Sequence, residues 1–175
     1  MIVADSALQM ATEPQEKLAM LEDKLGRSVA FFMDIHARFV FETGFYEKRR
    51  SGMLSVEELS TLMEDAQAKA FGDILGRKHP EFWASKLHFY LTGVPFYNFP
   101  YTFGFLFSSG IYARALAEGQ GFAQRYVDLL RDTGRMNVED LAYKHLGVKL
   151  DDTSFWSEAV KLCIADVQTF LDLTE

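Results

Sequence analysis

The chain has 175 residues, 49% hydrophobic and 25% charged, which fits one domain with a real core and lies far from the polar profile of a disordered chain. Its net charge is −7, and the only basic cluster is in Glu47-Lys48-Arg49-Arg50, so a phosphate-tracking nucleic-acid surface is not expected. No apolar run reaches the roughly 18–20 residues of a membrane helix, and Asp5 sits where a signal peptide would carry positive charge, so neither a membrane nor an export route is expected.

MIVADSALQM is helix-compatible from its first residue, with no N-cap residue before it, and reads as a helix entered partway along. From Pro14 to about Arg49, Leu18, Leu21, Leu25, Val29, Phe32, Ile35, Phe39 and Phe45 recur at three- and four-residue steps. That period predicts one long helix, or two nearly collinear ones, with Gly26 and Gly44 as points of a break or of close packing. Ser51-Gly52 ends it. Ser55-Val-Glu-Glu58 has the pattern of a capping box, in which hydroxyl and carboxylate satisfy first-turn amides, and a helix from about 56 to 72 should come next.

After Gly76-Arg-Lys-His-Pro80 the chain is rich in aromatic residues. Helical patterns then run from about Thr102 to Glu118 and from Gly121 to Arg131, and Asn137-Val-Glu-Asp140 caps a short helix. Thr133-Gly134 marks a helix end. The last stretch, about Ser154 to Leu173, is amphipathic and helical. Only Tyr97 to Phe107 looks like a strand, by the alternation of six aromatic residues, and Pro100 and Gly104 weaken that reading. The class expected is all-α. The single cysteine, Cys163, lies in an apolar run and should be buried in a protein of a reducing compartment.

A helical zinc site of the peptidase kind needs two histidines four residues apart on one helix face, with a glutamate beside the first. The residues four beyond His36, His79, His88 and His145 are Val40, Trp83, Thr92 and Lys149, so no such pair exists. The residues three before them are Met33, Gly76, Ser85 and Ala142, so Glu-x-x-His is missing as well. Nucleophile elbows, phosphate loops and cysteine clusters are also lacking.

The informative stretch is His88 to Phe107, which holds nine aromatic residues in twenty. The phenylalanines among them are expected to be mainly packing. Tyrosine hydroxyls need partners when buried. Tyr90, Tyr97 and Tyr101, set beside His88 on a loop broken by Pro and Gly, can line a pocket with aimed donors of the kind a developing oxyanion requires. His36 between apolar neighbours, His79 before a proline, and His145 near a helix C-terminus read as structural.

HFYLTGVPFYNFPYTFG, then FLFSSGIYARA, then YVDLLRDTGRMNVEDLAYKHLGV resembles the C-terminal region of oligoendopeptidase F. The upstream FMDIHARFVFETGFYEKRRSGMLSVEELS and the downstream SFWSEAV are similar to the same family, in the same order. This is a group of zinc-dependent, mostly cytoplasmic oligopeptidases related to thimet oligopeptidase, largely helical around a substrate channel. The resemblance implies that residues 1–175 form a single helical domain or fragment, the C-terminal part of the catalytic domain, with an aromatic loop at about 88–101. The family's His-Glu-x-x-His and later glutamate precede the segment matching Met1, so zinc belongs to the intact enzyme and none is expected on this chain alone. Glu13 and Glu22 are not candidates to replace them. Carried over residue by residue, His88 and Tyr97 are expected to support the oxyanion, and Tyr90 and Tyr101 to bind substrate. The partners implied are a peptide substrate, together with the N-terminal portion of the peptidase or a self-associated copy. The different possibility left open is a non-catalytic helical module that grips a peptide or drives assembly.

Overall fold

The computed structural model describes residues 2–175, with side chains described from Ala4 onward. The fold is all-helical, with no strand among the described residues. In chain order the helices are α1 (Ile2–Met10), α2 (Pro14–Val29), α3 (Ile35–Arg49), α4 (Val56–Phe71), α5 (Phe99–Glu118), α6 (Phe122–Asp132), α7 (Val138–Leu146) and α8 (Thr153–Thr174). A π turn, Ala30–Asp34, joins α2 to α3, and short 3-10 turns cover Phe82–Ser85, Leu87–Tyr90 and Gly119–Gly121. None of these helices is long and apolar enough to cross a membrane.

The chain forms two compact units, one from residues 1–25 and 105–175, the other from 26–104. In the second unit, α3 and α4 pack as a pair around Phe41, Met63 and Ala66, flanked by Val40, Phe45, Leu59, Leu62, Phe82, Trp83 and Phe89. Gly44 makes the close approach possible, since a Cβ there would sit 3.0 Å from Leu62 Cδ1. Gly26, by contrast, lies within α2 without breaking it. At the start of α4 the capping box is complete. Glu58 N–H donates to Ser55 Oγ at 3.1 Å, and Ser55 N–H donates to Glu58 Oε2 at 2.7 Å.

Of the one long helix or two successive ones expected over 14–49, the structure has two, α2 and α3, joined by the π turn, where Ile35 N–H reaches back five residues to the Ala30 carbonyl. One extra residue in a turn rotates the helix beyond it relative to the helix before it. Leu21, Ser28 and Ile35 are buried before and at the turn, then Ala37, Phe41 and Glu42 beyond it, while Val29, placed on the apolar stripe by its spacing, is 46% exposed.

The first unit is built on Phe122, Leu129, Leu141, Ala142, Leu146, Val148 and Phe155, with Phe107, Ile111 and Trp156 against them. Asn137 caps α7 by accepting from Asp140 N–H at 2.8 Å, and Gly147 ends it with φ 66°, a left-handed conformation that favours glycine. Asp132 closes α6 onto α7. It accepts from Lys144 Nζ at 2.6 Å and Arg135 Nη1 at 3.4 Å, and pairs with His145 Nε2 at 2.9 Å. His145, read from sequence as structural near a helix C-terminus, is thus one arm of a carboxylate hub. Cys163 is buried, in agreement with its apolar setting. Elsewhere in this unit Lys24 bridges Asp5 and Asp166, donating to Asp166 Oδ1 at 2.8 Å. Burial opposes charge on Lys24, yet the bonds to Asp166 and Asp5 raise its pKa above the ordinary lysine value.

The strand reading for Tyr97 to Phe107 is overturned. Phe99–Glu118 is one helix, and Pro100 falls in its first turn, where a backbone N–H would have no helical partner in any case. Alternate aromatic residues then spread around the helix instead of lining one face.

Gly110 lies under the Phe155 ring, which a Cβ would overlap, so Gly110→Ala should lower unfolding free energy by about 1–3 kcal/mol in denaturant titration. The hydrogen bonds from Lys144 and His145 hold the Asp132 carboxyl below its ordinary 3.8, so its contribution is present above that value and lost as pH falls through the depressed one. Asp132→Asn should therefore flatten the acid limb of the pH–stability curve.

Candidate functional site

The stretch 87–101 lies after α4 in the 26–104 unit as a 3-10 turn, a chain of tight turns and the first turn of α5. Three of the four residues singled out by sequence meet there. The rings of His88 and Tyr97 stack at 5.2 Å, Tyr101 meets His88 edge-on at 5.8 Å, and Tyr97 meets Tyr101 edge-on at 5.7 Å. Tyr90 does not join them, since its hydroxyl turns back to the Ala84 carbonyl at 3.4 Å. Tyr101 also departs from the expected loop, because helix α5 begins at Phe99 and carries it.

Tyr97 and Tyr101 are 37% and 38% exposed, so the pair presents itself at the surface. The division drawn between packing phenylalanines and presented tyrosines holds only in part. Phe89 packs on Phe41 at 4.9 Å, whereas Phe96 and Phe99 are 37% and 50% exposed. With Leu87, Tyr90, Leu91 and Val94 they make a run of exposed apolar side chains along one short segment.

Two anchors position the tyrosines. Thr102, next to Tyr101, donates its hydroxyl to the Phe31 carbonyl in the π turn at 2.7 Å. Glu42, on α3 and 3% exposed, accepts from Phe96 N–H at 2.8 Å and from Asn98 Nδ2 at 3.4 Å, one contact on each side of Tyr97. Sequence reasoning passed over Glu42. The signal available was an acid on the apolar ladder Ile35, Phe39, Glu42, Tyr46, at helical steps where only apolar or paired groups are expected.

Burial lowers the His88 pKa below its ordinary 6.5, and the charges of Arg38 and Lys86 add to the effect against the opposing charge of Glu42. The imidazole is therefore neutral at pH 7, with Nδ1 buried and without a protein partner. Arg38 pairs with Asp34 and lies 5.4 Å from the Phe82 ring centre, and Lys86 lies 4.2 Å from it. Tyr101 is raised above the ordinary 10, first by its hydrogen bond with Tyr97. The two phenols stand edge to face, and a phenol hydroxyl can donate its proton to an incoming acceptor. A neutral imidazole beside them adds a further donor or acceptor.

The donor set does not fit a zinc ion. His36 and His79 are exposed, His88 stands among phenols, and His145 is taken up by Asp132. No group of three or more His, Cys, Asp or Glu among the described residues could hold a metal.

No family model, curated protein or solved structure matches the chain.

The geometry sets the titrations. In NMR, His88 should titrate below 6.5. Tyr97→Phe should bring the Tyr101 phenol back down toward 10, read as earlier onset of phenolate absorbance.

Proposed function

We propose that this chain is the substrate-side, C-terminal part of a zinc-dependent oligoendopeptidase, supplying residues that bind a short peptide and support the oxyanion formed as its bond is cleaved. The observation that carries this reading is the convergence of His88, Tyr97 and Tyr101 at a partly exposed surface. A peptide carbonyl is the ligand such a surface suits, since it presents oxygen lone pairs to phenol protons and leaves apolar side chains to lie against exposed rings. On this reading Tyr97 and His88 contact the carbonyl oxygen, while Tyr101 holds Tyr97 in place and binds substrate. Tyr90, bonded back to its own loop, contributes ring surface more than a donor. On this reading the zinc ligands belong to the rest of the peptidase, and the chain is inactive by itself. Catalysis belongs to an assembly with the N-terminal portion of the peptidase or with another copy, and cytoplasmic residence accords with the family.

A second reading, a non-catalytic module for peptide binding or assembly, draws on the exposed apolar run through Leu87, Val94, Phe96 and Phe99. The two readings differ in whether the tyrosine hydroxyls matter. Fluorescence anisotropy with a labelled octapeptide measures this directly. Tyr97→Phe, which keeps the ring and removes the donor, should weaken binding by about five- to tenfold, roughly one hydrogen bond. Unchanged affinity in Tyr97→Phe, with loss only in Tyr97→Ala, would favour the assembly module. One zinc per chain with chelator-sensitive peptide hydrolysis would overturn the inactivity of the isolated chain.

A further inference from the structure

Glu42 is the one acid of the 26–104 unit whose whole residue is buried, and neither of its bonds goes to a cation. A buried carboxylate without a cationic partner is expensive and persists where something depends on its acceptors. What it accepts from is specific. Phe96 has φ 57°, the left-handed region a bulky side chain rarely enters, and its N–H is the donor to Oε1. Asn98, fully buried, gives its amide to Oε2 and opens α5 by accepting from Tyr101 N–H at 3.3 Å. The Phe96 ring also lies on α3, 6.1 Å from Phe39 and 5.1 Å from Tyr46.

We infer that Glu42 is a positioning residue for the candidate site: its two carboxylate oxygens grip the chain on either side of Tyr97 and so hold Tyr97 stacked on His88. This rests on the peptide-binding reading for its consequence, but the mechanical part stands on the contacts alone. Phe96 in the left-handed region reverses the chain just before Tyr97, and an unheld turn would relax to an ordinary φ and swing the next side chain off the imidazole. The carboxylate offsets that strain with a charge-assisted bond. Asn98 keeps Oδ1 buried and without a partner, which has a consequence for substitution. A glutamine at 42 could still accept from Phe96 N–H, and its amide could donate to Asn98 once the Asn98 amide turned over.

The test compares Glu42→Gln and Glu42→Ala with wild type in the full chain. The readouts are the ring contact between His88 and Tyr97 by NMR, the His88 titration, and anisotropy with the labelled octapeptide. Glu42→Ala should lose the ring contact and weaken peptide binding about tenfold, while Glu42→Gln retains the contact and most of the affinity. In Glu42→Gln, His88 should titrate lower than in wild type, because the charges facing it are then Arg38 and Lys86 alone, beside the two uncharged phenols. A residue that only stabilised the fold would lower the melting temperature and leave the ring contact intact in the folded protein. Glu42→Ala with the contact intact would overturn the inference, as would Glu42→Gln losing it while still folded. Should Glu42→Ala fail to fold, Glu42→Gln decides on contact and titration together. If wild type binds no octapeptide, the peptide reading falls, and the ring contact alone still decides the role of Glu42.

Discussion

A buried carboxylate that accepts from backbone and amide donors is the constraint on which the 26–104 unit's surface depends. Glu42 sits on the same helix whose apolar residues pack α4, so the rigidity of the α3–α4 pair passes to a segment that has little core of its own. The turns from Leu91 to Tyr97 are exposed throughout, and hydrophobic burial does not hold them. Directed hydrogen bonds do, and they are strong because the acceptor is charged and water is excluded from it.

A second anchor lies at the π turn, where a carbonyl oxygen with two lone pairs can take a bond from α5 besides any within its own helix. The wider turn at Ala30–Asp34 accompanies the Phe31 carbonyl that accepts from Thr102, beside Tyr101. Local irregularity and site geometry coincide here, a pairing common to such bulges. In the other unit Asp132 plays a comparable part between α6 and α7, but its partners are cations, and what it secures is packing around Leu129 and Leu141.

The composition of the site restricts its chemistry. Two adjoining phenols and an imidazole can donate to an oxygen that gains negative charge, but they offer no strong nucleophile. The proposed function uses such a surface as one wall of a reactive centre, with the exposed rings of Phe96 and Phe99 beside it to meet the side chains of a peptide.

Helix positions were legible in the sequence wherever spacing and caps act locally. The 3.6-residue period of α3, the Ser55–Glu58 box and the Asn137 cap each depend on residues within a turn or two of one another. The association of His88 with Tyr97 and Tyr101 could be suspected from density alone, because all three lie within fourteen residues. What the chain did not announce was decided by contacts distant in sequence or by the geometry of a particular turn. Alternating aromatics became a helix because Pro100 suits a first turn. Val29, at the end of α2, stays exposed although its spacing put it on the apolar stripe. Tyr90 turned away because the Ala84 carbonyl was in reach. Glu42 acts on Phe96 across 54 residues, a pairing no local pattern encodes, since only the packed tertiary structure brings that acid to the N–H it holds.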